Sequence, residues 1–192
     1  DNVTVSADHV VVLNAAGAFN NLTVNGTLQM QGFTLVGGGV VINEDGEITV
    51  LEGTLANLSV SLNITNHGVL NFFESNVQIG RITFTGVQNQ VFTTTGTTNL
   101  GNVTVNKGTS RDLLVDIVTG GAFTIRSGAT AGFLTLTNGT AKISGTTAIA
   151  SEVFLVPAWS IPANAGFWLD NPNFEVLPLT GSPTNNGLLR LT

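Results

Sequence analysis

Asp112 and Asp116 stand four residues apart, with Arg111 beside the first. Side chains alternate along a strand, so on a strand positions 112 and 116 would share a face. Two carboxylates placed in this way, with a guanidinium to hold a uronate, are the parts that acid–base cleavage of an acidic polysaccharide requires. The enclosing run Lys107-Gly108-Thr109-Ser110-Arg111-Asp112 reads more simply as a loop with a local ion pair. A second acidic group, Asn43-Glu44-Asp45-Gly46-Glu47, sets oxygen ligands around a glycine turn in the manner of a calcium-loop fragment. The rest of the loop spacing is missing, as is its bidentate glutamate, so a solvated turn is expected. The two histidines are His9, flanking Val10-Val11-Val12, and His67, in the turn Asn66-His67-Gly68. Neither has a second ligand at metal-site spacing. Trp159 and Trp168 could stack on a sugar ring; the plainer expectation is core packing with the indole N–H bonded. No Gly-x-Ser-x-Gly elbow is present. No residue is read as catalytic, cofactor-binding or metal-holding, and the chain is read as non-enzymatic.

Composition narrows the partners. Charged residues make up 9% of the 192-residue chain, against about 25% in ordinary soluble domains. Thr, Ser, Asn and Gly must therefore supply solubility. Net charge is −6, and the first half carries most of it: residues 1–96 hold Arg81 as their only base. Without a basic stripe, neither nucleic acid nor an anionic membrane surface is expected as a partner. No apolar run approaches the roughly 18 residues of a membrane span. Cysteine is absent, which excludes disulfides and thiolate metal sites. The Asn-x-Ser/Thr triplets at Asn2, Asn21, Asn25, Asn57, Asn63, Asn102 and Asn138 are what a chain this rich in Asn and Thr produces by chance, and are read as strand and turn composition.

The elements that must position these residues announce themselves in a recurring figure. Leu22-Thr23-Val24 returns as Val3-Thr4-Val5, Phe33-Thr34-Leu35, Ile48-Thr49-Val50, Leu58-Ser59-Val60, Ile82-Thr83-Phe84, Val103-Thr104-Val105, Phe123-Thr124-Ile125 and Leu134-Thr135-Leu136. Alternation of this kind puts the apolar pair on one face of a strand and the hydroxyl on the other. Several gaps between figures are 19 to 24 residues and others 10, 11 or 15. A coil of about twenty residues with two or three short strands per lap produces such spacing. Asn25-Gly26, Asp45-Gly46, His67-Gly68, Lys107-Gly108, Ser127-Gly128, Asn138-Gly139 and Ser144-Gly145 punctuate the strands, with glycine expected to supply positive φ. Asn-Gly is also a hairpin signal, which keeps an antiparallel β-sandwich as the alternative to an all-β parallel solenoid. No helix beyond one or two turns is expected.

All five prolines and both tryptophans lie beyond residue 156. Residues 1–156 are read as the solenoid body. Residues 157–192 are read as a flank of the same domain, made of loops and edge strands because proline removes a ladder donor.

Asp1-Asn2-Val3-Thr4-Val5, Asn20-Asn21-Leu22-Thr23-Val24-Asn25-Gly26-Thr27-Leu28 and Thr97-Thr98-Asn99-Leu100-Gly101-Asn102-Val103-Thr104-Val105-Asn106 resemble the repetitive β-helical regions of very long, adhesin-like bacterial surface proteins exported by type IX secretion. Gly166-Phe167-Trp168-Leu169-Asp170-Asn171-Pro172-Asn173-Phe174 and Gly181-Ser182-Pro183-Thr184-Asn185-Asn186-Gly187-Leu188-Leu189-Arg190 fit the same pattern. The resemblance implies a right-handed parallel β-helix, a place outside the cell, and a structural or adhesive role. It implies an excerpt of a longer chain, whose partners are neighbouring modules of that chain or like subunits, with surface polysaccharide as a further partner. Two other expectations stand beside it: a carbohydrate-binding or polysaccharide-lyase-like domain on the same scaffold, and a subunit of an extracellular filament or surface layer.

Overall fold

The computed structural model describes residues 1–51, 55–74, 77–78, 80–126, 132–154, 160–177 and 184–192. The described residues form strands, turns and no helix, and wind as a right-handed parallel β-helix with three faces. The first face stacks Val3–Val5, residues 22–24 and 40–42, Ile64–Asn66, Gln90–Thr94, Leu114–Thr119, residues 139–145, Ala165–Asp170 and Leu188–Leu191. The second stacks Val10–Leu13, Thr27–Met30, Glu47–Val50, Val69–Asn71, Thr97–Leu100 and Ala122–Ile125. The third stacks residues 17–19 and 34–37, Ala56–Val60, Gly80–Phe84, Asn102–Asn106 and residues 134–138.

The alternation that predicts strands is what holds the laps together. Leu22, Val40, Ile64, Phe92, Ile117 and Ile143 succeed one another in register on the inner side of the first face, all buried. Leu35, Leu58, Ile82, Val103 and Leu134 do the same on the third. Each such side chain is worth about 1.5–3 kcal/mol when taken from water. The hydroxyls between them point outward and also stack in register, as Ser59, Thr83, Thr104 and Thr135. Asparagines add rungs: Asn99 Nδ2 donates to Asn71 Oδ1 at 3.0 Å and Asn138 Nδ2 to Asn106 Oδ1 at 3.1 Å.

The antiparallel sandwich is not what the chain builds. Among the described residues the strand pairings are parallel, apart from the small hairpin of Phe73–Glu74 with Val77–Gln78. Lys107-Gly108 and Asn138-Gly139 join the third face to the first, and Ser127-Gly128 lies outside the described residues. Asn25-Gly26, Asp45-Gly46, His67-Gly68 and Ser144-Gly145 are at corners between the first and second faces. The amides that follow the first three bond to the preceding lap rather than across a hairpin: Thr27 N to His9 O at 2.8 Å, Glu47 N to Gly26 O at 2.8 Å, Val69 N to Gly46 O at 2.9 Å. The expected reason for glycine here needs correction. Gly108, Gly139 and Gly145 do have positive φ, but Gly26, Gly46 and Gly68 do not. At Gly68 a Cβ would stand 2.1 Å from the carbonyl oxygen of Gly46, so the corner admits no side chain because laps meet there.

The inner side of this corner is polar. Asn66 Nδ2 donates to Thr98 Oγ1 and to Thr97 O, each at 2.9 Å, and Thr94 Oγ1 lies 2.8 Å from Thr98 Oγ1. Higher up, Asn171 Nδ2 reaches Thr119 Oγ1 at 3.1 Å. These side chains are buried and bonded, as buried polar groups must be.

The described part of residues 157–192 continues the laps. Ala165–Asp170 is not an edge strand: it pairs with residues 139–144 on one side and with Leu188–Leu191 on the other. The prolines are compatible with this because Pro162 and Pro172 sit in corners, outside the ladder, where the Pro162 carbonyl accepts from Ala165 N at 2.9 Å. Pro157, Pro178 and Pro183 lie outside the described residues.

Candidate functional site

The densest polar cluster lies on the outer side of the first face. Asp116, Lys142, Trp168 and Arg190 are consecutive register partners on successive laps. Lys142 Nζ lies 2.8 Å from Asp170 Oδ2 and 3.4 Å from Asp116 Oδ2. Asp116 Oδ1 accepts from Ser144 Oγ at 2.6 Å. Thr192 Oγ1 accepts from Trp168 Nε1 at 2.9 Å and donates to Asp170 Oδ1 at 2.6 Å. The indole carries a cation on each side, with Lys142 Nζ 4.5 Å and Arg190 Cζ 4.0 Å from the ring centre. The hydrogen bond from Lys142, then that from Thr192, holds the Asp170 carboxyl below its usual range. The same bond to Asp170 raises Lys142. The groups answer one another, and the result is a clamp across the upper laps. The expectation for Trp168 is met in its bonded N–H but not in its location: Phe167 fills the core and Trp168 the outer surface. Trp159 lies outside the described residues.

Asp112 and Asp116 are not brought together on one strand. Asp112 is exposed in the turn before Leu114–Thr119, and its Oδ2 accepts from Ser110 Oγ at 2.8 Å. Asp116 is inside that strand and faces Lys142. The loop expectation therefore holds, with the Ser110 hydroxyl in the place foreseen for Arg111. Glu44 and Asp45 are exposed at a corner, where Asn43 Nδ2 donates to Asn25 Oδ1 at 2.5 Å. His67 is an exposed corner residue with Nδ1 2.8 Å from Thr95 Oγ1, and His9 is exposed with Nδ1 2.9 Å from Ala7 O. Among the described residues no group of three His, Cys, Asp or Glu side chains is placed to share a metal ion.

Two groups escaped sequence reasoning. Lys142 follows Asp116 by 26 residues and precedes Trp168 by 26, which is one lap each way. A lap length read from the chain would have stacked them. Lys107 gave no signal at all. It is fully buried at the corner leading to the next first-face strand, and its Nζ donates to Thr85 O at 2.7 Å and to Gln90 Oε1. Burial pushes the ammonium down to about 8.

Among the described residues, concavities mark the outer surface. One, of about 580 Å³, lies over the first corners and is lined by Asn25, Asn43, Glu44, Asp45 and His67. Another, of about 420 Å³, lies where the third face turns into the first, around Gly39. No family model, curated protein or solved structure matches this chain.

Proposed function

We propose that this chain is a structural and adhesive module of a large bacterial cell-surface or secreted protein, forming a stiff β-solenoid stalk that type IX secretion carries outside the cell. The observation that supports this reading is the first-face ladder, which runs in register from Val3 to Leu191. A stack in which each lap touches only its neighbours resists bending and presents a long side surface. That surface is Thr- and Asn-rich and poor in charge, which suits contact with neighbouring modules, like subunits or surface polysaccharide rather than with nucleic acid. No described helix is long and apolar enough to cross a membrane. The test is location: antibody raised against residues 1–192 should label intact source cells, and external protease should remove the label. Label found only after lysis overturns the proposal.

A further inference from the structure

The concavity around Gly39 is a notch cut by a missing side chain. Asn21 and Gly39 are register partners on adjacent laps, and Val40 N bonds to Asn63 O on the lap above at 3.0 Å. Gly39 thus stands between Asn21 and Asn63 with nothing projecting from it. Its neighbour Gly38 is closed by contact, since a Cβ there would meet Asn20 O at 2.1 Å. At Gly39 the nearest atoms would be Asn21 Oδ1 at 3.2 Å and Asn63 O at 3.4 Å, and its φ is not positive.

The walls present a particular chemistry. Asn21 Nδ2 is bound to Asn2 Oδ1 at 3.2 Å, which turns Asn21 Oδ1 toward position 39 as an acceptor. Asn63 Oδ1 accepts from Val91 N at 2.9 Å and Asn89 Oδ1 from Leu114 N at 2.8 Å. Both amide oxygens are therefore held, and the Nδ2 groups have no protein partner among the described residues. The exposed aliphatic side chains of Leu62 and Val41 complete the lining, 44% and 38% exposed. No lining residue is ionisable.

We infer that this notch binds an uncharged polyhydroxylated chain, a neutral glycan. A sugar hydroxyl both donates and accepts, so neighbouring hydroxyls match one amide oxygen and adjacent amide N–H₂ groups. The C–H face of a pyranose packs on Leu62 and Val41. A uronate finds the Asn21 oxygen and no cation. This site goes beyond the stalk reading and does not depend on it, since a rod without a ligand is still a rod.

The experiment is a ¹⁵N-resolved NMR titration of the 192-residue chain. The probes are cellohexaose, laminarihexaose, mannohexaose and xylohexaose, with tetragalacturonate as the charged comparison. At least one neutral hexaose should shift the side-chain amide signals of Asn21, Asn63 and Asn89. Gly39→Val fills the notch in a strand that favours valine, and it should weaken that binding tenfold or more while keeping the wild-type spectrum elsewhere. Leu62→Asp removes the packing face from an exposed position and should do likewise, so the result does not hang on one variant. Three outcomes each overturn the inference: no neutral sugar moves these signals at millimolar concentration, tetragalacturonate moves them equally well, or both variants bind as the parent does.

Discussion

Lys107 Nζ rests on the Gln90 side-chain oxygen, and among the described residues no carboxylate pairs with it. Gln90 is locked in turn, because its Nε2 donates to Leu62 O at 2.6 Å. A lysine whose charge is balanced only by carbonyl oxygens is an unusual tenant of a core, and it makes the fold pH-sensitive on the alkaline side.

In the folded chain Lys107 loses its proton near 8, and in the unfolded chain near 10.5. Between those values the unfolded state binds the extra proton, so stability rises with pH across that window and the rise ends above 10.5. The chain has no Tyr or Cys, and its other lysine is Lys142, raised above 10.5. The window therefore reports Lys107. Urea midpoints of the parent should climb from pH 8 to pH 10, while those of Lys107→Met should stay level. Parallel curves for the two proteins refute the assignment.

Asp170 responds at the other end of the scale. Its pKa lies below the unfolded 3.8, so its contribution is present above that value and disappears as pH falls through the folded one. Asp170→Asn should reproduce the acid effect at neutral pH by freeing Lys142 and Thr192. Amides of residues 188–191 should then exchange hydrogen faster, with those of residues 22–24 unchanged. Equal exchange in both places means that the clamp holds nothing.

Gly68→Ala should destabilise strongly, on the order of 2–4 kcal/mol, because its Cβ lands on the backbone carbonyl of Gly46 and no rotamer relieves it. Gly39→Ala meets the movable Asn21 amide at 3.2 Å and should change the melting temperature by little. Thermal melts of the two variants side by side test whether lap contact, rather than glycine content, governs the corner.

Ile82 sits in the third-face stack between Leu58 and Val103, fully buried. Ile82→Ala should cost about 2–5 kcal/mol by opening a cavity with few atoms free to collapse into it. Thr83→Ala, one residue along on the outer side, removes a bond to Asn57 Oδ1 of 2.8 Å and should cost about 1 kcal/mol. Equal losses in urea titration would contradict the inside–outside assignment.

How much of this was legible varies with the kind of information. Ile82-Thr83-Phe84 declares a strand and its inward pair, because alternation is local. The lap was blurred because the figures fall on different faces: Leu22-Thr23-Val24 on the first, Ile48-Thr49-Val50 on the second and Leu58-Ser59-Val60 on the third. Gaps between them therefore mix whole laps with fractions of one. Gly46 was recognised as a turn but for the wrong cause, since contact with Val24 O belongs to the lap below. The notch at Gly39 could not be read at all. Asn21, Gly39, Asn63 and Asn89 meet only once the register is known.

The tight corners impose an asymmetry on how such a chain can vary. From Leu22 to Val40 a lap takes 18 residues, and from Ile64 to Phe92 it takes 28. Yet the first-to-second-face corner is two residues long at Asn25-Gly26 and still two at His67-Gly68. The surplus enters on the other two corners, as after Phe72 and before Gln90. That corner stays between two residues and four, the longer form being Asn43-Glu44-Asp45-Gly46, while the flanks absorb the larger surplus, so foreign peptides grafted after Phe72 should be displayed on the flank while the first-face ladder continues undisturbed.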